Sequence, residues 1–423
     1  IKTLISAMMI LVLLSAPGCT APPAPGKAAE PSPTPVVTEA PAENRDVLAE
    51  KAVSMLEEMT VEEKVGQLLV VGFPEDISSA SLQEYFYKYK VSGFILFSRN
   101  FKDFRSMYSL VGELKEKNSL SGSIPLFISI DEEGGKVSRL PQGGTHFPDP
   151  AKLGKANDPT LTFKSGKVIG QELAAAGINI DFAPVLDIVT DSGNKLLIRR
   201  SYGSTKELVS AHGTAFIKGL QSTGVIAVPK HFPGHGNTTV DSHTGLPVID
   251  TDRNAFEARE LFPFKAAIQE GVDIIMVGHI AFPKLDPSGL PATMSEYVLK
   301  DVLRNQLDFK GVAISDDIEM KGYTSAKGSI EEGVVASFNS GLDVFLIGHT
   351  KDTQVKVFDA LKGAVADGRI SEERLNEAVL RILKVKLKHE LRDTMDYSSE
   401  EAEDIFGSEE HRAVLEEVNK AVK

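Results

Sequence analysis

Eight short runs of the chain are apolar almost without interruption and rich in β-branched residues: 68–73, 91–97, 126–130, 178–182, 225–228, 272–277, 311–315 and 343–347. Between them, apolar positions recur at helical spacing over 81–90, 103–117, 158–176, 205–222, 252–270, 296–307 and 330–340, and again at 352–367 after the last run. Strands that are apolar throughout, rather than alternating, belong in parallel sheets buried on both faces. Eight strand–helix units in succession predict an α/β fold, a (β/α)8 TIM-type barrel. An open, doubly wound sheet is the competing arrangement, but no G-x-G-x-x-G fingerprint follows any run. Upstream, 45–59 reads as an amphipathic helix, and Thr60-Val61-Glu62-Glu63 is a capping-box pattern that starts another.

The two ends read differently. Residues 1–18 combine Lys2, an apolar run too short to span a membrane, and small residues, which is the pattern of a secretory signal. Residues 20–44 are rich in Pro, Ala, Thr and Glu without periodicity and predict an extended spacer. A barrel domain is expected over 45–390 and a helical tail over 391–423, with a helix from 409 onward. Composition adds a boundary: 46 Lys and Arg against 59 Asp and Glu leave a net charge of −13, which argues against a nucleic-acid partner. One Cys excludes an internal disulfide framework. That residue closes Leu14-Ser15-Ala16-Pro17-Gly18-Cys19, which resembles a bacterial lipoprotein signal. The resemblance implies lipid on Cys19 and an anchor on the outer face of the cell membrane; plain secretion is the alternative.

In a barrel of this kind, chemistry gathers at the C-terminal ends of the strands. Those ends carry Asp131, Asp181, Asp187, Lys230, His231, His279, Asp316, Asp317 and His349. Any one of them has a bland reading as a helix cap or a packed loop side chain. Ionisable groups at the ends of six different strands suit acid/base chemistry on a polyhydroxylated substrate. After the fifth run comes a stretch with neither helical nor strand periodicity, containing Lys230, His231, His235, Asp241 and His243. An Asp two residues from a His orients the imidazole and raises its pKa. Glycoside hydrolysis would use Asp316 as nucleophile and His243, backed by Asp241, as acid/base; the residues alone do not choose between Asp316 and Asp317. A metal-dependent barrel hydrolase would enlist His231, His235, Asp241 and His243 as ligands, but its usual His-x-His on the first strand is missing. A non-catalytic cell-wall-binding lipoprotein leaves the His–Asp pair unexplained.

The stretch Lys230-His231-Phe232-Pro233-Gly234-His235-Gly236-Asn237-Thr238-Thr239-Val240-Asp241-Ser242-His243 resembles the signature loop of the β-N-acetylglucosaminidase branch of family 3 glycoside hydrolases. Met59 to Gln67 resembles that family's opening helix, Ser129 to Arg139 its sugar-binding turn, Asn179 to Asp187 its fourth strand, and Ser315-Asp316-Asp317 its nucleophile strand. The resemblance covers about residues 50 to 390. It implies a retaining exo-β-N-acetylglucosaminidase acting on peptidoglycan or chitin fragments, as a monomer and with no cofactor or metal. It implies Asp316 as nucleophile, His243 as acid/base, Asp241 as its positioning partner, and Asp131, Arg139, Arg200, Lys230 and His231 as sugar-binding residues. Phosphorolysis of the same glycosides is the alternative within the family. The chain departs from the family pattern at Ile198, where a Gly usually stands two residues before the Arg matching Arg200. The helix from 409 resembles the linker that leads into a second domain in larger relatives.

Overall fold

All eight apolar runs become strands: β1 Leu69–Val71, β2 Gly93–Leu96, β3 Phe127–Ile130, β4 Ile180–Asp181, β5 Ile226–Ala227, β6 Ile274–Val277, β7 Val312–Asp317 and β8 Val344–Ile347. The structure is a computed structural model that describes residues 42–423, apart from 76, 192, 237, 239–241 and 243, with backbone alone for 42–46. The signal, Cys19 and the spacer lie outside the described residues, as do Asp241 and His243. Residues 43–423 make one unit. Every recorded strand pair is parallel, in the order β5-β4-β3-β2-β1-β8-β7-β6.

The ends of that order, β5 and β6, are joined by the chain just beyond β5. Phe232 donates its N–H to the Met276 carbonyl at 2.8 Å, Gly278 donates back to Phe232 at 2.9 Å, and Met276 donates to Pro229 at 3.1 Å. On the other side Lys230 donates to Pro184 at 3.0 Å and accepts from Leu186 at 2.6 Å. Residues 229–232 therefore continue the barrel wall, which corrects the expectation that this stretch is irregular from its start. Pro229 and Pro233 hide the strand because they break the apolar pattern, yet Lys230 and Phe232 between them supply the N–H groups the wall needs. β7 also runs two residues past its predicted end, through Asp316 to Asp317, with an irregular pairing to β8 between Ile314 and Asp317. Such a bulge re-aims the side chains around it.

Helices follow the strands in turn: α1 Ser79–Tyr87, α2 Phe104–Leu120, α3 Pro159–Ala175, α4 Lys206–Gln221, α5 Leu261–Gln269, α6 Tyr297–Gln306, which is wound as a π-helix, α7 Ile330–Ser340 and α8 Lys351–Ala366. Side-chain caps start several of them, including Ser78, Asp103, Asp158, Thr205 and Ser329. The single helix expected over 252–270 is instead a short turn, Arg253–Ala255, a wide π-type turn, Phe256–Glu260, and then α5. Pro263 has no N–H for the carbonyl four residues back, and Leu261 reaches Phe256, five residues back. Helix α9, Glu372–Lys388, was not among the predicted elements; Ser371 caps it, and its face of Leu375, Val379, Ile382 and Leu383 is buried. Two further helices, α10 Ser399–Ile405 and α11 Glu409–Ala421, complete the tail.

The N-terminal end of the barrel is plugged. Lys386 of α9 is buried there, with its ammonium donating to Gln67 Oε1 and the Ser92 carbonyl at 2.9 Å each and standing 4.6 Å from the Phe127 ring centre. Asp343, at the foot of β8, is fully buried among Arg304, Arg374 and Arg381.

Candidate active site

The opposite end gathers the ionisable groups. Lys230 is held in the barrel wall, and its buried ammonium meets Asp131 Oδ1 at 2.6 Å and Glu133 Oε1 at 2.7 Å. Glu133 is also clasped by Arg200, whose Nε and Nη2 donate to its two oxygens at 2.8 and 2.6 Å. The substitution at Ile198 thus leaves Arg200 within the cluster. Burial opposes the charge on Glu133, but Arg200 and Lys230 outweigh it and hold the carboxyl at about 2. Burial likewise works against the Lys230 ammonium, while Asp131 and Glu133 overcome it and raise its pKa. The result is a compact array of fixed charges at the ends of β3, β4 and β5.

His231 is held from behind. Its Nδ1 faces Asp187 Oδ2 at 2.7 Å, and Asp187 Oδ1 accepts the backbone N–H of His231 at 3.3 Å and of His235 at 2.7 Å. A carboxylate at Nδ1 fixes the ring so that Nε2 is the nitrogen left for other work. The peptide bond between Lys230 and His231 is cis. His235 packs its ring 5.9 Å from that of His231, and neither of its nitrogens has a hydrogen-bond partner among the described residues. Among the described residues no three His, Cys, Asp or Glu side chains are grouped to hold a metal ion.

Asp316 is partly exposed near the end of β7, and its Oδ1 accepts the N–H of Asp317 at 2.8 Å. Burial raises its carboxyl, but the neighbouring His231 and His279, with Lys230 behind them, bring it below the ordinary value. Asp317 differs. Burial lifts it to about 7, and its oxygens accept from Glu319 N–H at 3.0 Å and Gly348 N–H at 3.2 Å. His279 accepts from or donates to Thr293 at Nδ1 and meets the Asp317 carbonyl at Nε2, both at 3.0 Å. Since a carbonyl only accepts, Nε2 carries the proton and Nδ1 takes the Thr293 hydroxyl hydrogen. His349 lies against Phe97, ring centres 5.1 Å apart, and 3.3 Å from Asp317 Oδ2.

The structure therefore brings Asp131, Arg200, Lys230, His231 and Asp316 to one end of the barrel. Arg139 belongs to the same turn as Asp131, and its backbone N–H is bound by Glu132 Oε2 at 2.6 Å. Two further participants were not assigned a role from sequence. Glu133 joins Lys230 to Arg200, and Asp187 orients His231. Their signal was acidity at or beyond a strand end, shared with Glu132 and Asp181, which are buried and pushed up by burial instead, Glu132 to about 7.

The sequence pattern of the Glycosyl hydrolase family 3 N terminal domain matches residues 60–385. The chain belongs to glycosyl hydrolase family 3. Among relatives of this family 3 chain, Beta-hexosaminidase A of Pseudoalteromonas piscicida is 34% identical over 330 residues, covering 73% of this chain and 55% of that protein. The chain thus spans little more than half the length of that relative. Beta-hexosaminidase of Neisseria meningitidis serogroup C is 37% identical over 270 residues, 62% of this chain and 72% of the other. A solved family 3 beta-N-acetylglucosaminidase from Paenibacillus sp. str. FPU-7 superposes with a TM-score of 0.81 at 38% identity, covering 86% of this chain and 69% of that one.

Proposed function

We propose that the chain is a retaining exo-β-N-acetylglucosaminidase. The observation that carries the reading is an ionised carboxylate, Asp316, next to a charged cradle of Lys230, Asp131 and Arg200 and an oriented His231 at one barrel mouth. Retention requires a carboxylate nucleophile and a group that first donates and then accepts a proton. Asp316 attacks the anomeric carbon while His243, positioned by Asp241, protonates the departing oxygen. The same imidazole then takes a proton from the water that cleaves the glycosyl–Asp316 ester. Lys230, Arg139, Arg200, Asp131 and His231 hold the terminal sugar, and ammonium and guanidinium groups donate well to hydroxyl and acetamido oxygens. The names of the relatives support N-acetylated sugars as substrates, and peptidoglycan or chitin fragments fit that class.

The test compares an aryl N-acetyl-β-glucosaminide with the matching glucoside, with and without chelator. Selective, chelator-resistant hydrolysis of the first is expected, and a fluorinated analogue should label Asp316 covalently. Equal rates on the two glycosides would overturn the substrate assignment, and an unlabelled Asp316 would overturn its role as nucleophile.

A further inference from the structure

The connection from β3 to α3 carries Asp131, Glu133 and Arg139. It is fastened in two places. Near its start, Glu132 binds the backbone N–H groups of Arg139 and Leu140 at 2.6 and 3.2 Å. Farther along, Glu172 of α3, fully buried, accepts the N–H of Thr145 at 3.0 Å and its hydroxyl at 2.5 Å. The second fastening is shared with the C-terminal tail. Glu172 Oε1 also accepts the N–H of Gly407 and Nδ1 of His411, each at 3.0 Å.

The tail has no slack at this point. Gly407 has φ +62°, and a Cβ there would stand 1.9 Å from the Gly143 carbonyl oxygen. A Cβ on Gly144 would lie 2.7 Å from the Phe406 ring, which stacks on Phe104 with centres 4.3 Å apart. Residues 143–145 are therefore enclosed between α3 on one side and residues 406, 407 and 411 on the other. The rest of the tail is tied down elsewhere, by Arg105 to Glu403 at 2.6 Å and Lys164 to Glu417 at 2.7 Å.

We propose that the tail is part of the sugar-binding apparatus: Glu172, Gly407 and His411 are positioning residues that clamp the β3–α3 connection and so set the placement of Arg139 and Asp131. This rests on the reading of that connection as the sugar-binding turn. A clamp remote from the bond being broken should affect substrate binding more than the chemical step.

The experiment uses the full chain and the aryl N-acetyl-β-glucosaminide, with circular dichroism and Tm to show that each variant folds. His411→Leu and Gly407→Ala should raise KM roughly three- to tenfold, the scale of one ordinary hydrogen bond, with kcat changed less than about twofold. His411→Asn, whose amide can replace the Nδ1 donor, should restore KM. Glu403→Gln, on the same tail but facing Arg105, should leave both constants alone. Folded His411→Leu and Gly407→Ala with wild-type KM, or with a lower kcat and unchanged KM, would overturn the clamp and leave a merely packed tail. A wild-type chain that hydrolyses no N-acetylglucosaminide would instead overturn the function reading, before any tail variant is compared.

Discussion

Burial alone would lift the carboxyl of Asp316, but His231, His279 and Lys230 outweigh it, so this side chain is ionised at neutral pH. One residue further, burial and the charges of Glu319 and Asp316 take Asp317 to about 7, and two loop N–H groups occupy its oxygens. The pair therefore divides into a charged group near Lys230 and His231 and a group that ties the loops after β7 and β8 together. Replacing Asp316 by Asn should lower kcat on the order of 10⁴-fold or more, as expected for loss of a nucleophile. Asp317→Asn, a neutral side chain where the acid is already half neutral, should cost less than about tenfold, the scale of one disturbed hydrogen bond. Steady-state kinetics on the aryl substrate distinguishes them; a larger loss at Asp317 would reverse the assignment of roles.

Between elements, the ties that matter are long in sequence. Glu133 and Arg200 are 67 residues apart, His231 and Asp187 are 44 apart, and each pair joins the tops of neighbouring strands. This is why the reading from sequence singled out Lys230, His231 and Asp316 but gave no role to Glu133 or Asp187: periodicity reports which face a residue lies on, not which distant charge it meets. Glu133 also makes these ties sensitive to acid. Its folded value of about 2 lies below the ordinary glutamate value of about 4.3. Its stabilising contribution is complete above the ordinary value and disappears as pH falls through the folded one. Wild-type Tm should thus fall more steeply than that of Glu133→Gln between about pH 5 and about pH 3. At neutral pH the variant should be less stable by on the order of 3 kcal/mol, since Lys230 and Arg200 lose a buried partner. Parallel curves in scanning calorimetry would show that Glu133 is not a stabilising anion.

For the molecule as a whole, the barrel was legible because eight apolar runs and the helices between them leave few alternatives. What escaped was structure whose signal is interrupted, the π-type turn before Pro263 and the wall segment between Pro229 and Pro233, together with α9, whose regular apolar spacing at Leu375, Val379, Ile382 and Leu383 was overlooked. The barrel foot adds a second effect in which stability again rises with pH, but in the neutral to alkaline range. Burial drives Lys386 down to about 7 from an ordinary lysine value of about 10.4. Between those values the unfolded chain binds the extra proton, so folding stability rises with pH from about 7 to about 10. Lys386→Met should remove that portion of the rise in a chemical-denaturation series, and an unaltered slope would show that the ammonium is not under strain there. The seam between β5 and β6 carries a different consequence. The same four residues that complete the cylinder also bear Lys230 and His231, the side chains proposed to hold the sugar, so this peptide cannot be lengthened, shortened or rerouted without opening the wall. Insertions in this lineage should therefore begin only past Gly234.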